Sequence, residues 1–188
     1  MNAANAGAES FDYQVSDGVN TVTETVNLTI DADNEASALA HGFVSTWNVT
    51  GNSLTLPFGN GDVDFTVYWG DGTSSTHTGG TTVQHNYAVN GHYTVAIVGD
   101  FPGLNFNGGG DRLKLDTIEQ WGNIAWQDLD GAFQGTNGLE INAVDAPDLS
   151  DVTDLSNLFL SAINFNADIG HWDVSNITDM SQMFFSPP

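Results

Sequence analysis

Asp31, Asp33, Asn34 and Glu35 place three carboxylates and an amide within five residues. Clustered side-chain oxygens of this kind are the ligands a hard cation such as calcium takes. The spacing is not that of an EF-hand loop, so the competing reading is a solvated linker running into Ala36-Ser37-Ala38-Leu39-Ala40. Calcium is the one cofactor the sequence offers, and none is required. A second acidic set recurs in the C-terminal half, where Asp148 and Asp173, and likewise Asp154 and Asp179, stand 25 residues apart, with Asp151 opposite Asn176. Stacked like charges repel. Either a cation neutralises them, or each Asp caps a local turn or helix N-terminus, and the Ser, Asn and Thr neighbours favour caps. His77, His85 and His92 could be drawn together as metal ligands, but no Asp-His ligand spacing accompanies them. His41 and His171 are isolated. Trp121, Trp126 and Trp172 could stack on sugar rings if exposed; core packing is preferred, since Trp172 sits at a repeat position. No nucleophile elbow, zincin pair or phosphate loop occurs, and the expectation is a protein that is not an enzyme.

Composition narrows the partners. Two basic side chains, Arg112 and Lys114, stand against 24 acidic ones, a net charge of −22 in 188 residues. A phosphate-backbone binder needs clustered Lys and Arg, so nucleic acid is excluded as a partner. An anionic membrane surface would repel the chain, and no apolar run is long enough for membrane insertion. Without cysteine there are no disulfides or thiolate metal sites. At 40% hydrophobic residues the chain can build a core, and 21 glycines fit a turn-rich β protein. The acidic, Lys-poor, Asn/Thr/Gly-rich composition reads as an internal piece of a longer exported protein, extracellular or at the cell surface.

The elements that must position these residues fall into three zones. Residues 1–40 alternate apolar and polar residues on either side of Asp17-Gly18, the mark of a β-hairpin. Such a hairpin is marginal alone and must pack on something. Residues 41–101 carry five short alternating strands, Phe43–Val49, Ser53–Phe58, Asp64–Trp69, Thr82–Tyr87 and His92–Val98, separated by Gly-rich turns. They predict a small antiparallel sandwich with Phe43, Trp47, Leu54, Leu56, Phe65, Val67, Trp69, Tyr87, Tyr93, Val95 and Ile97 inward. In residues 102–188 a repeat emerges: Asp148–Phe159 aligns with Asp173–Phe184 at an offset of 25 residues, and a degenerate copy ends at Phe133. A period of this length predicts a solenoid, one unit per repeat. Residues around Trp172–Val174 read as a short strand, and Ile177, Met180, Met183 and Phe184, recurring at three and four, as a helical turn.

Three resemblances follow from these residues. Tyr13, Val15, Asp17 and Gly18, followed by the acidic run, resemble the last two strands of a bacterial cadherin-like repeat, a family whose terminal acidic residues often hold interdomain calcium. Val67-Tyr-Trp-Gly-Asp-Gly-Thr73, His85-Asn-Tyr87 and Gly91-His-Tyr-Thr-Val-Ala-Ile97 resemble a PKD domain, in which the motif is structural. Phe165–Phe184 is similar to the consensus of BspA-type leucine-rich-repeat surface proteins, also described for mycoplasma lipoproteins. Together they imply a β-sandwich (PKD/Ig-like) followed by a short leucine-rich-repeat solenoid of α+β repeats. The implied function is a non-catalytic segment of a bacterial cell-surface adhesin, attaching to a protein or glycan ligand on another cell or surface. Alternatives are a self-assembling or spacer module of an extracellular filament, associating through the open solenoid end or the N-terminal hairpin, and a carbohydrate-binding accessory module. No ligand-binding residue is singled out.

Overall fold

A computed structural model describes residues 7–16, 20–30, 35–59, 61 and 63–186. The chain forms two compact units, residues 1–34 and 35–188. In the first, β1 (Gly7–Ser16) and β2 (Thr21–Ile30) pair antiparallel from Gly7 opposite Ile30 to Ser16 opposite Thr21.

The second unit begins with helix α1 (Glu35–His41) and continues through β3 (Phe43–Val49), β4 (Ser53–Pro57), β5 (Asp64–Tyr68), β6 (Ser74–His77), β7 (Thr82–Asn86), β8 (Gly91–Asp100), β9 (Leu115–Gln120) and β10 (Glu140–Ile141). Six strands form one sheet in the order β10-β9-β3-β8-β5-β6, antiparallel except for β9 and β10, while β4 and β7 pair separately. Strand β3 sits centrally because both its faces are apolar. Phe43, Trp47 and Val49 point into the main core with Leu54, Leu56 and Val83 of the smaller sheet, whereas Val44 packs beneath α1 with Ala38 and Ala96. All eleven residues expected inward are buried except Tyr93, which is half-buried. Between β5 and β6 the chain reverses through Gly70-Asp71-Gly72. Gly70 has φ +75°, and a Cβ there would lie 2.3 Å from Thr94 O, so the turn takes only glycine at that point.

Beyond β8 the structure corrects the expectation of an α+β leucine-rich-repeat solenoid. Among the described residues α1 is the single α-helix, and the repeat region contains only a 3-10 turn (Arg112–Lys114), β9, β10 and isolated parallel bridges such as Asp154 to Asp179. The residues read as helical turns form linked β-turns instead. Leu158 N donates to Leu155 O (3.3 Å), Leu160 N to Asn157 O (2.9 Å) and Ala162 N to Phe159 O (3.0 Å). The amides between them turn outward to the next repeat: Leu155 N to Asp179 O (2.9 Å), Asn157 N to Ser181 O (3.0 Å), Phe159 N to Met183 O (3.0 Å) and Ser161 N to Phe185 O (2.8 Å). Left-handed backbone at Asn157 (φ 57°), Ser161 (φ 56°) and Gln182 (φ 57°) breaks any continuous helix. An i to i+3 turn repeats its apolar residues at the same spacing as a helix, which is why the pattern pointed to one. The apolar residues still fill a core: Leu149, Val152, Leu155, Leu158 and Phe159 are buried, continuous with the sandwich interior.

Candidate functional site

Asp31, Asp33 and Asn34 lie outside the described residues; Glu35 opens α1 and is half-buried. Among the described residues no group of three or more His, Asp and Glu is placed to hold a metal ion.

The recurring aspartates all make the same local bond. Oδ1 of Asp148, Asp154, Asp173 and Asp179 accepts from the backbone N–H two residues on, Ser150 (3.0 Å), Ser156 (2.7 Å), Ser175 (3.0 Å) and Ser181 (2.7 Å). This is the Asx-turn, in which a short acidic side chain substitutes for a backbone acceptor. The bonds favour the charged form. The Ser150 hydroxyl and amide hold the Asp148 carboxyl below its usual range, and the Ser175 and Ser181 amides, with their hydroxyls, do so for Asp173 and Asp179. Other carboxylates bridge repeats. Asp130 accepts from the Ser156 hydroxyl (3.1 Å) and Asn157 Nδ2 (2.9 Å). Asp145 accepts the amides of Trp121 (3.1 Å to either oxygen) and Gly122 (2.8 Å). An open groove between successive turns is lined by Asp148, Ser150, Asp173, Ser175 and Asn176. A second lies beside α1, with His41, Glu119, Asn123, Asp145 and the 97% exposed Val144.

The three histidines of the sandwich have three separate employments. His85 Nε2 lies 2.8 Å from Asp71 Oδ2, with its ring stacked on Trp69 (4.7 Å between centroids, 11°). Asp71 in turn accepts the Thr73 amide at 3.0 Å. Burial pushes the Asp71 carboxyl up, but the Thr73 and His85 hydrogen bonds and the His85 charge outweigh it and leave it below the ordinary value. Tyr87 donates to Trp69 O (3.0 Å), and burial together with the neighbouring Asp71 charge raises its phenol. His77 lies 2.8 Å from the Ser75 hydroxyl, and burial depresses it. His92 faces Asp116 at 3.0 Å. The His85 bond braces the Gly70–Gly72 turn, the His77 bond lies within the edge strand β6, and the His92 bond links β8 to β9 across β3.

Trp121, Trp126 and Trp172 are buried, so a sugar-stacking role for them is removed. Trp121 meets Trp126 (5.5 Å, 76°) and Trp172 (5.1 Å, 87°) edge to face. Among the described residues their three indole N–H groups have no hydrogen-bond acceptor. The two cations are also occupied. Arg112 Nε donates to Gly135 O (3.0 Å), and Lys114 Nζ donates to Ser53 O (2.8 Å) while pairing with Asp111 (2.9 Å). Sequence reasoning passed over Asp130, Asp145 and both cations as ties because, apart from Asp111 beside Lys114, their partners lie 23 to 61 residues away, beyond any local pattern.

Residues 111–187, less than half of the chain, match the family model described as "Mycoplasma protein of unknown function, DUF285". No curated protein and no solved structure matches the chain. Among the described residues no helix is long and apolar enough to cross a membrane.

Proposed function

We propose that this chain is a non-catalytic segment of a bacterial cell-surface attachment protein, in which residues 35–188 act as a platform. The observation that carries the reading is the continuous buried cluster running from Phe43 of β3 to Met183 of the last turn. Such a core fixes the turns and their grooves relative to the sandwich, as presentation of a surface to a ligand requires. The aspartates, histidines and cations that could do chemistry are committed to turn and repeat bonds, which supports a structural employment for them. The strong acidity keeps such a module soluble and disfavours anionic partners. The resemblance to BspA-type surface proteins over the repeats points the same way, and the acidic run Asp31–Glu35 is a calcium site in this reading. The test is attachment of beads coated with the chain to epithelial cells, immobilised matrix proteins and a glycan array. Saturable binding that soluble chain competes away is the expected result. Beads that bind none of these while the chain is folded would overturn it.

One observation favours a second reading, a spacer without a ligand of its own. The groove between turns presents Asp, Ser and Asn, while the large aromatics Trp121, Trp126 and Trp172 are buried. Non-binding beads would support it.

A further inference from the structure

The fold treats the two edges of the small β4–β7 sheet differently. Leu54 lies opposite His85, Thr55 opposite Gln84 and Leu56 opposite Val83. In an antiparallel pair, residues that bond to the facing strand alternate with residues whose N–H and C=O point away from it. Thr55 N–H points away from β7, since it donates to Asp111 Oδ2 (2.7 Å). Ser53 O and Pro57 O point the same way and accept from Lys114 Nζ (2.8 Å) and Asn105 N (3.0 Å). The chain thus closes the outer edge of β4 itself.

The same alternation turns the N–H and C=O groups of Thr82, Gln84 and Asn86 outward on the far edge of β7. Among the described residues these backbone groups have no hydrogen-bond partner, and β7 pairs with β4 alone. All three residues are exposed. The loop before them stands clear, for a Cβ on Gly79 or Gly80 would meet nothing within 4 Å. Val89, just past the strand, is 63% exposed. An uncovered edge of this kind is a template for strand addition.

Charge and register select the occupant. The chain carries a net charge of −22, yet residues 72–99 contain no Asp or Glu. Asp71, which lies against β7, is paired with His85 at 2.8 Å. A second copy can therefore approach this edge without setting one strand's carboxylates against the other's. Antiparallel pairing of Thr82–Asn86 with itself, centred on Gln84, places Gln84 opposite Gln84 and Thr82 opposite Asn86. In that register every outward N–H meets an outward C=O, and the facing side chains are amides and hydroxyls that hydrogen-bond each other. We infer that β7 is a two-fold interface for a second copy of this chain, which joins two β4–β7 sheets into one four-stranded sheet. The strand is only five residues long, so the association is weak and reversible.

The test is sedimentation equilibrium of the full chain up to about 1 mM, at about 0.15 M salt. A monomer–dimer equilibrium with a Kd of roughly 0.1–1 mM is expected, the range of a small interface. Amide exchange at Thr82, Gln84 and Asn86 slows as the dimer forms. Gln84→Pro removes an N–H that β4 does not use, so it leaves the melting temperature near the parent's and weakens the dimer at least about tenfold. Gln84→Glu keeps the backbone and sets like charges face to face at the two-fold, so it also weakens the dimer, and mixing it with Gln84→Lys restores association. A chain that stays monomeric at about 1 mM would overturn the proposal. A dimer that Gln84→Glu and Gln84→Pro leave intact would overturn it too, by placing the contact elsewhere.

Discussion

Replacing Asp154 separates the two roles an acidic column can have. Its carboxylate caps Ser156, a residue 7% exposed whose amide bonds at 2.7 Å, and it sits opposite Asp179 across a parallel bridge. Loss of a capping carboxylate costs about 1 kcal/mol, within a range of roughly 0.5 to 2. Relief of repulsion acts in the other direction and is smaller. Two unit charges about 4 Å apart in water repel by about 1 kcal/mol, and salt screens much of that between exposed groups. The cap wins, so Asp154→Ala is destabilising. For a unit of this size 1 kcal/mol corresponds to a Tm shift of about 2–4 °C. Asp154→Asn removes the charge and keeps an acceptor oxygen, so it stays within about 1 °C of the parent, the residue of a cap preserved and a repulsion relieved. The assay is thermal melting of the three proteins at about 0.15 M salt, the ionic strength at which surface repulsion is already damped. An Ala variant that melts higher than the parent would refute the capping argument and make repulsion the dominant interaction.

Other outcomes follow from the same bonds. Acid melting should show two steps. Depressed His77 contributes stability that is lost as pH falls below the ordinary histidine value of 6.5. Depressed Asp71, Asp148, Asp173 and Asp179 contribute stability that is full at neutral pH and lost below the ordinary 3.8. His77→Gln abolishes the first step, and a melting temperature flat between pH 7 and 5 in the parent would contradict it. Gly122 has φ +70°, and a Cβ there would lie 2.2 Å from Gly42 O, a backbone atom that cannot swing away. Gly122→Ala should therefore lower the Tm by more than about 5 °C or abolish soluble expression, since left-handed strain and a backbone clash add; a Tm within a degree of the parent would show the contact to be loose. Millimolar calcium should raise the melting temperature through Asp31, Asp33, Asn34 and Glu35, with chelator reversing it and Asp31→Asn/Asp33→Asn abolishing it. No shift would remove calcium from the account.

Legibility in the sequence followed the physical range of each interaction. Strands β3, β4, β5, β7 and β8 announced themselves by alternation, because Phe43, Trp47, Leu54, Leu56 and Phe65 each face one core. The polar β6, Ser-Ser-Thr-His, has no such alternation and is held by pairing with β5. Strand β9 pairs with β3, about seventy residues earlier, a partnership no local pattern encodes. The repeat period was plain from Asp148–Phe159 against Asp173–Phe184, but the backbone that realises it was not. Three-residue recurrence is common to helices and linked β-turns, and the choice is made by Asn157, Ser161 and Gln182 in left-handed conformation and by amides that pair between repeats. The Asp-x-Ser pattern, by contrast, carried its own reading as a cap, since donor and acceptor lie two residues apart.

The most direct test of the stacked-turn platform is the measurement of scalar couplings across hydrogen bonds by NMR on labelled protein. The account predicts couplings from the amide of Leu155 to the carbonyl of Asp179, from Asn157 to Ser181 and from Phe159 to Met183, interleaved with i to i−3 couplings at Leu158 and Leu160. Couplings from each amide to the carbonyl four residues before it, through residues 155–161, would establish a helix there and contradict the account.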